Sequence, residues 1–277
     1  MNINKEVIMI RFKKKWWKIL LIIIVSAFFD IVLHGLISPL SSSNVSLLKP
    51  SVFVKNGMLV PAVITWELLA FSIFSVVFIS IENRLPWKKP IKGLLYGFSF
   101  AMLYLIGMFE SVLLTNSTII HEFLMGLGDF FPFLLSGFLL GIFIGTEQIQ
   151  NKKRNNIFSI FVVSFFYLIG RYFAYAILHI HSAYITQPAA TLIWTLCQGL
   201  CVGVIFYILQ SGAIGNSIIK QAIFFGMIIF GANWFGNHLF IVFISEFSFD
   251  IFIRVGMDII SVIIGVYVYK KIYANKI

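Results

Sequence analysis

Charged residues are scarce in this sequence. Asp, Glu, Lys and Arg make up 12% of its 277 residues, whereas hydrophobic residues make up 60% and aromatic residues 17%. Soluble globular domains carry roughly 25% charged residues, and a water-soluble fold of this length could not bury so much apolar surface. The scarcity of charge therefore excludes a soluble protein. It predicts an all-α polytopic integral membrane protein whose solvent and partner is the lipid bilayer.

Cysteines and the common catalytic motifs are also rare or missing. Cys197 and Cys201 are the two cysteines of the chain and lie one helical turn apart in an apolar segment, which is typical of small packing residues. The sequence contains no G-x-x-x-x-G-K-[ST] phosphate-binding loop and no G-x-S-x-G nucleophile elbow. We therefore expect no cofactor and no ATP-driven engine, and these absences weigh against an enzyme.

Long apolar runs dominate what is present. A membrane helix needs about 20 mostly apolar residues to cross roughly 30 Å of hydrocarbon, and polar, turn-forming segments separate about eight runs of this length. The first run follows a basic stretch, as in a signal peptide, but it lacks a small-x-small cleavage site, so we predict an uncleaved helix. The predicted transmembrane helices are 17–38, 61–81, 92–114, 122–145, 157–179, 188–210, 219–244 and 251–269.

The basic residues indicate the orientation of these helices. The formal net charge is +10, and most Lys and Arg residues fall in the N-terminus, in 82–92 and 151–154, at Lys220 and in the C-terminal tail. With eight spans these positions share one side, which the positive-inside rule assigns to the cytoplasm. We therefore predict a cell-membrane protein with both termini cytoplasmic. The positive charge reflects topology, and no nucleic-acid partner is expected.

The two halves of the chain resemble two copies of one unit. Two glycines and an aspartate of the first half recur at a constant spacing in the second, and a Pro–Trp pair recurs as well. The corresponding residues are Gly97 and Gly226, Gly107 and Gly236, Asp129 and Asp258, Pro61 and Pro188, and Trp66 and Trp194. Four helices return the chain to its starting side, which predicts parallel repeats about an axis along the membrane normal. The predicted organisation is a cytoplasmic basic N-terminus 1–16, a first four-helix repeat 17–145, a cytoplasmic basic linker 146–156, a second four-helix repeat 157–269 and a cytoplasmic tail 270–277.

Ionisable residues inside the predicted helices point to a binding site. An Asp at the centre of a membrane helix costs roughly 2.5–3.5 kcal/mol on translocon scales, so several such residues on separate helices are expected to share one polar environment. Most of them fall in the outer half of the predicted bilayer, which predicts an outward-facing polar cavity. The candidate substrate- or ion-binding residues are Asp30, Glu67, Asp129, Arg171, Asn233, Arg254 and Asp258.

Specific neighbours follow from the predicted repeats. Asp129 and Asp258 occupy matching places on the fourth and eighth spans and are expected to approach one cavity, where a bound cation or proton would relieve their repulsion. Asp30 and Arg171 occupy equivalent depths in the two repeats and are expected to pair. Arg171 and Arg254 are also candidate neighbours of Asp129.

Metal-site patterns in the sequence are weak. His179 and His181, together with His34 or His238, could ligate a metal ion, but their spacing is generic. The stretch "HEFLM" begins like the H-E-x-x-H motif of zinc proteases, and Met125 stands where the second histidine would be.

The tetrapeptide "GLGD", from Gly126 to Asp129, resembles the G-x-G-D motif of the presenilin-like intramembrane aspartyl proteases. The resemblance implies a second catalytic aspartate on another helix, and Asp30 in "FFD" stands where that family has a Tyr-Asp. Two such carboxylates that share a proton would hydrolyse a peptide bond by general acid–base catalysis. The Pro-Ala-Leu of the family is absent, with "PAV" at 61–63 and "PAA" at 188–190 in its place.

Taken together, these features favour a permease or carrier for a small solute or cation, coupled to protons through Asp129 and Asp258. The alternatives are a membrane-embedded hydrolase that uses Asp30 and Asp129, and a non-catalytic subunit of a membrane complex. The substrate, cation or proton and the lipid bilayer are the expected partners, with a membrane-protein partner or a second copy of the chain as a further one.

Overall fold

The computed structural model describes residues 2–40, 49–115, 117–147 and 156–274 of the chain. Regular secondary structure in these ranges is entirely helical. Eight of the helices are long and apolar enough to cross a membrane, which confirms the predicted number and suggests a membrane protein. Their bounds are α1 Asn2–Ile37, α2 Leu59–Ile81, α3 Lys89–Met108, α4 Ile119–Phe143, α5 Phe158–Ala176, α6 Pro188–Leu209, α7 Ile218–Ile244 and α8 Phe249–Ala274.

Three shorter elements modify this set. A four-residue helix, Val52–Lys55, lies between α1 and α2. The helix Glu110–Leu114 continues the direction of the chain after α3. Within α7, the stretch Phe224–Gly231 is a π-helix between two α-helical stretches, a rare geometry that often marks a functional position.

The first and last helices extend further towards the ends of the chain than predicted. The helix α1 begins at Asn2 and so includes most of the predicted N-terminal segment 1–16, because that segment contains no Gly or Pro and is rich in good helix formers. For the same reason α8 continues into the predicted tail and ends at Ala274. Residues 41–48 and most of the predicted linker, 148–155, lie outside the described residues.

Glycines set the closest helix contact, between α3 and α4. A Cβ placed on Gly93 would lie 2.0 Å from the carbonyl oxygen of Gly137, and one on Gly137 would lie 2.6 Å from the Cα of Gly97. Such contacts let the two backbones touch, which is how small residues promote helix association in lipid. The contact extends to Gly141, where a Cβ would lie 2.5 Å from the carbonyl oxygen of Lys89.

The helices contact one another in a regular order. In the first half α1 packs against α2 and α4, and α3 packs against α4; in the second half α5 packs against α6 and α8, and α7 packs against α8. Between the halves α2 packs against α7, and α3 packs against α6. The region where α1, α2 and α4 meet, and the region where α5, α7 and α8 meet the end of the third span, each enclose a group of charged side chains.

Two tryptophans join the halves by hydrogen bonds. The indole nitrogen of Trp66 on α2 donates to the carbonyl oxygen of Gly236 on α7 at 2.9 Å. The indole nitrogen of Trp194 on α6 donates to the carbonyl oxygen of Ile106 on α3, also at 2.9 Å. Buried indole N–H groups need such partners, so both inter-half contacts are fixed in register by a polar bond as well as by packing.

Candidate functional site

The first charged group lies between α1, α2 and α4 and consists of Asp30, His34, Glu67 and Asp129; we call it the acidic cluster. Asp30 and His34 are one helical turn apart on α1, so their side chains lie on the same face. The Nε2 atom of His34 lies 3.0 Å from Oδ1 of Asp129 and 3.1 Å from Oδ1 of Asp30. One ligand atom from each of these three residues falls within 4.8 Å of the others. Glu67 approaches from α2, and its carboxyl group lies within hydrogen-bonding reach of Asp30.

The carboxyl groups of the acidic cluster are buried and incompletely hydrogen-bonded. Asp30 is 0% exposed and Glu67 is 1% exposed. The Nε2 atom of His34 forms a hydrogen bond with Asp129, since a ring nitrogen can form one well-aligned hydrogen bond at a time. Both carboxylate oxygens of Asp30 and one oxygen of Glu67 accept no hydrogen bond. Buried polar atoms normally have a partner, so these oxygens require either a proton shared between the neighbouring carboxyl groups or a bound ligand.

The acidic cluster is not balanced by basic side chains. It contains three carboxyl groups and one imidazole, and within the described residues no Lys or Arg makes an ion pair with any of them. Three negative charges cannot remain close together in an apolar interior without compensation. Bound protons or a bound cation must therefore neutralise this cluster.

Gly128 makes the position of His34 possible. A Cβ atom placed on this residue would lie 2.8 Å from Cε1 and 2.9 Å from Nε2 of the His34 ring. The absence of a side chain thus lets the imidazole lie directly against α4, beside Asp129. The glycines of "GLGD" accordingly have different roles, because a Cβ on Gly126 would meet Leu105 on α3 instead.

The second charged group lies between α5, α8 and the helix that follows α3. It consists of Glu110, Arg171, Arg254 and Asp258, and we call it the arginine cluster. Arg171 donates from Nη2 to Oδ2 of Asp258 at 2.7 Å, and its Nε lies 2.7 Å from Oδ1 in the same ion pair. Its third nitrogen donates to Glu110 at 3.1 Å, and Arg254 also donates to Glu110. Two-point contacts between a guanidinium and a carboxylate are among the strongest hydrogen-bonded ion pairs.

Aromatic side chains enclose the arginine cluster. Trp234 donates from its indole nitrogen to Oδ2 of Asp258 at 2.8 Å, and the hydroxyl of Tyr167 accepts from Nε of Arg171 at 3.1 Å. The Arg171 guanidinium lies 5.1 Å from the centre of the Trp194 ring, a cation–π distance. Two guanidinium groups face two carboxylates in this cluster, so its formal charge is zero, and Arg171 and Asp258 are both 0% exposed. The arginine cluster is therefore balanced in charge without a ligand, in contrast to the acidic cluster, although Oδ1 of Asp258 accepts no hydrogen bond.

The structure corrects the predicted pairings. Asp30 does not pair with Arg171, because Arg171 binds Asp258 and Glu110. Asp129 contacts His34 and neither arginine, and it does not share a cavity with Asp258, since the two aspartates belong to different clusters. Both groups are enclosed between helices, whereas the sequence predicted one open cavity. The charged side chains pair into two separate groups, one of which takes Glu110 from the first half.

Asn233 belongs to neither cluster. Its side-chain nitrogen donates to the carbonyl oxygen of Ile229 at 2.8 Å and to the hydroxyl of Tyr96 at 3.2 Å. Its backbone carbonyl oxygen accepts a hydrogen bond from the hydroxyl of Tyr104 at 3.0 Å. The bonds to Tyr96 and Tyr104 connect α7 to α3. Asn233 is therefore a packing residue in this structure.

The predicted histidine site does not form. Within the described residues, His34 belongs to a group whose atoms could hold a metal ion, but His179, His181 and His238 do not join it. His238 is buried with its Nδ1 atom 3.0 Å from the carbonyl oxygen of Trp234. His181 is an exposed residue whose backbone nitrogen donates to Asp250 at 2.8 Å. His34 thus finds its partners among carboxylates and not among other histidines.

One residue of the arginine cluster and one that encloses it were not predicted from the sequence. Glu110 is not among the predicted candidate residues, and its carboxylate bridges Arg171 and Arg254. Trp234 was not predicted either, and its indole bonds Asp258. An acid inside the apolar run 92–114 is a signal that could have found Glu110; a tryptophan among 6 in the chain carries no comparable signal.

No protein-family model, curated protein sequence or solved structure matches this chain.

Proposed function

We propose that this chain is a multi-pass membrane carrier for a small cation, moved alone or together with a solute, and that the acidic cluster is its cation-binding site. The proposal depends on one observation. Asp30, Glu67 and Asp129 are buried between apolar helices, and the imidazole of His34 is the one basic group that contacts them among the described residues. Acids at such depth are expensive and are typical of ion and proton pathways. Such a site suits a carrier, because its carboxylates can bind a cation and later exchange it for another cation or for protons.

The proposed setting is the cell membrane, with both termini in the cytoplasm. Eight apolar helices and the concentration of Lys and Arg at one side of them support this orientation. In it, the acidic cluster lies near the outer ends of α1 and α2, so a cation reaches it from the external side.

The proposed architecture is two parallel four-helix repeats, α1–α4 and α5–α8. The helix contacts support it, because α1 meets α2 and α4 as α5 meets α6 and α8, and α2 meets α7 as α6 meets α3. The hydrogen bonds of Trp66 and Trp194 between the halves correspond in the same way, since one joins α2 to α7 and the other joins α6 to α3. Asp129 and Asp258 also correspond, since each contacts a cationic side chain on the first helix of its own half, His34 or Arg171. In this scheme the arginine cluster is the permanently neutralised counterpart of the acidic cluster.

Charge movement in vesicles tests the carrier proposal. The full chain is reconstituted into proteoliposomes on a solid-supported membrane, and Na⁺, K⁺, H⁺ and divalent cations are each applied as concentration jumps. We expect a transient current for at least one cation with the wild-type protein, no current with Asp129→Asn, and a normal current with Glu122→Gln. Glu122 is a suitable control because it is a buried acid on the same helix α4, outside the cluster. Equal responses from wild type, Asp129→Asn and empty vesicles would contradict the proposal.

One observation favours a second function, hydrolysis within the membrane. The carboxylate oxygens of Asp30 and Asp129 fall within 4.8 Å of one another, as the resemblance of "GLGD" to the intramembrane aspartyl proteases implies. The imidazole of His34, however, lies between them at 3.0 and 3.1 Å, where a catalytic water would have to bind. Cleavage of a helical membrane peptide by the reconstituted wild type, lost in both Asp30→Asn and Asp129→Asn but retained in His34→Gln, would favour the hydrolase over the carrier.

A further inference from the structure

We infer that the acidic cluster is a metal site for a divalent first-row transition-metal ion, with Asp30, His34 and Asp129 as ligands and Glu67 as an additional oxygen donor. The inference deepens the carrier function proposed above and rests on the same cluster, because it names the chemical class of the cation. It is supported by the spacing of the ligand atoms, the kinds of atoms present and the unpartnered oxygens.

The spacing of the ligand atoms suits a single ion. Neighbouring ligands around an octahedral ion lie about 3.0 Å apart when the metal–ligand distance is about 2.1 Å, and those around a tetrahedral zinc ion lie about 3.3 Å apart. The Nε2 atom of His34 is 3.0 Å from the Asp129 oxygen and 3.1 Å from the Asp30 oxygen. The Asp30 and Asp129 oxygens lie within 4.8 Å of one another, so an ion can contact all three atoms once the side chains close around it.

The kinds of donor atoms select the class of ion. An imidazole nitrogen binds Zn²⁺, Fe²⁺, Co²⁺ or Ni²⁺ well, and carboxylates add affinity for Mn²⁺, whereas Mg²⁺ and Ca²⁺ prefer oxygen ligands alone. Cu(I) would require thiolate or thioether ligands, and the candidate group contains neither. One imidazole with two or three carboxylates thus favours Mn²⁺, Fe²⁺, Co²⁺ or Zn²⁺.

The unpartnered oxygens are the independent sign of a ligand. Asp30 is fully buried, and neither of its carboxylate oxygens accepts a hydrogen bond. Glu67, directly beside it, has one buried oxygen in the same condition. A divalent ion would satisfy these atoms and would add two positive charges, the same number that Arg171 and Arg254 provide in the arginine cluster.

Access to the cluster runs past His34. The His34 side chain is 26% exposed, whereas that of Asp30 is 0% and that of Asp129 is 9% exposed. Gly35, the next residue on α1, has open space around it, with no atom within 4 Å of a Cβ placed there. The imidazole is therefore the first ligand that an incoming ion meets.

Metal binding to the purified full chain tests the inference directly. Titration calorimetry in detergent with Mn²⁺, Co²⁺ and Zn²⁺ is expected to give one saturable site per chain, with Mg²⁺ and Ca²⁺ binding much more weakly. Co²⁺ is expected to give a visible d–d absorption band from mixed nitrogen and oxygen ligands. Asp129→Asn and His34→Gln should each lower the affinity by about 100-fold or more, because even residues outside the first shell of a metal site contribute 10- to 100-fold. Glu122→Gln should leave the affinity unchanged.

Two alanine substitutions provide a matched pair that leaves every ligand in place. Gly128→Ala would place a Cβ 2.8 Å from the His34 ring, so it should displace the imidazole, lower the affinity by about tenfold or more and change the Co²⁺ spectrum. Gly35→Ala places a methyl group in open space beside the same histidine and should change neither. Gly35→Ala controls for the added methyl group, and thermal unfolding of both variants without metal separates a displaced imidazole from a loss of folding: the inference expects Gly128→Ala to bind more weakly while it unfolds at the wild-type temperature.

Several outcomes separate this inference from the carrier proposal. No saturable binding of the three transition metals to the wild type, or binding that survives both Asp129→Asn and His34→Gln, would overturn the metal site. If the vesicle currents respond to Na⁺, K⁺ or H⁺ through Asp129 while no transition metal binds, the carrier proposal stands and the metal inference fails. If a transition metal binds through the cluster in detergent but no cation gives a current, the metal site stands and the carrier proposal fails.

Discussion

At the scale of single residues, two aspartates on the last helices of the two halves have different cationic partners. Asp129 lies against the imidazole of His34 at 3.0 Å, whereas Asp258 is held by two 2.7 Å contacts from the guanidinium of Arg171. An imidazole nitrogen can bind a metal ion, whereas a guanidinium has no free lone pair and stays charged. The first aspartate is therefore suited to exchange its partner, and the second is suited to keep it.

Removing one side of the arginine cluster should be costly. Arg171→Gln leaves Asp258 buried without its ion-pair partner, so it should lower the free energy of unfolding by about 3–5 kcal/mol, measured by SDS titration of the purified protein. The double variant Arg171→Gln/Asp258→Asn should recover much of this loss, because no unpaired carboxylate remains at position 258.

A surface ion pair provides the control for this prediction. Lys49 and Glu246 lie 3.7 Å apart with side chains 83% and 55% exposed, so Lys49→Gln should change the stability by less than about 1 kcal/mol. An Arg171→Gln effect as small as this one, or a double variant no more stable than the single one, would contradict the proposed cost of the unpaired acid.

At the scale of elements, the contact between α3 and α4 depends on the absence of side chains. Gly93→Ala would place a Cβ 2.0 Å from a backbone oxygen of Gly137, and neither backbone can move without separating the helices. We expect a loss of about 1–3 kcal/mol, the usual range for overpacking a well-packed interior, measured by the same SDS titration.

Gly256→Ala on α8 is the matched control for the helix contact. No atom lies within 4 Å of a Cβ at that position, so the substitution should be neutral or should stabilise by about 0.5–1 kcal/mol, because alanine favours a helix more than glycine does. If both alanine variants have the same stability, backbone contact is not what holds α3 against α4.

At the scale of the whole molecule, the orientation can be tested with single cysteines in a Cys197→Ala/Cys201→Ala background. Lys88 and Ser248 are both exposed and lie at opposite ends of the helices in the proposed topology. A membrane-impermeant maleimide applied to intact cells should label Ser248→Cys and should label Lys88→Cys only after the cells are opened. Labelling of position 88 in intact cells would rule out the cytoplasmic assignment.

The two proposed repeats predict matching effects of two distant substitutions. Trp66→Phe and Trp194→Phe each remove one 2.9 Å hydrogen bond between the halves, so each should cost about 0.5–1.5 kcal/mol of unfolding free energy. Because the two bonds lie in separate helix contacts, the double variant should show the sum of the two losses. A large effect of one substitution and none of the other would argue against equivalent contacts.

The sequence by itself determined the number and extent of the helices and the residues that carry charge inside them. Both follow from local properties: an apolar run of sufficient length predicts a spanning helix, and any acid within it is conspicuous. Six of the seven predicted binding residues accordingly belong to one of the two clusters, with Asn233 as the exception.

Only the tertiary structure decided which charges meet. Position along a helix gives the depth of a residue, but contact also depends on how each helix is rotated and which neighbour it packs against, and these are set by glycines and aromatic side chains far from the site in sequence. For this reason Asp30 meets His34 and Asp129 while Arg171 meets Asp258 and Glu110. The sequence predicted one shared cavity. The packing of the helices instead forms two clusters, one neutral and one that needs a cation or protons to balance its charge.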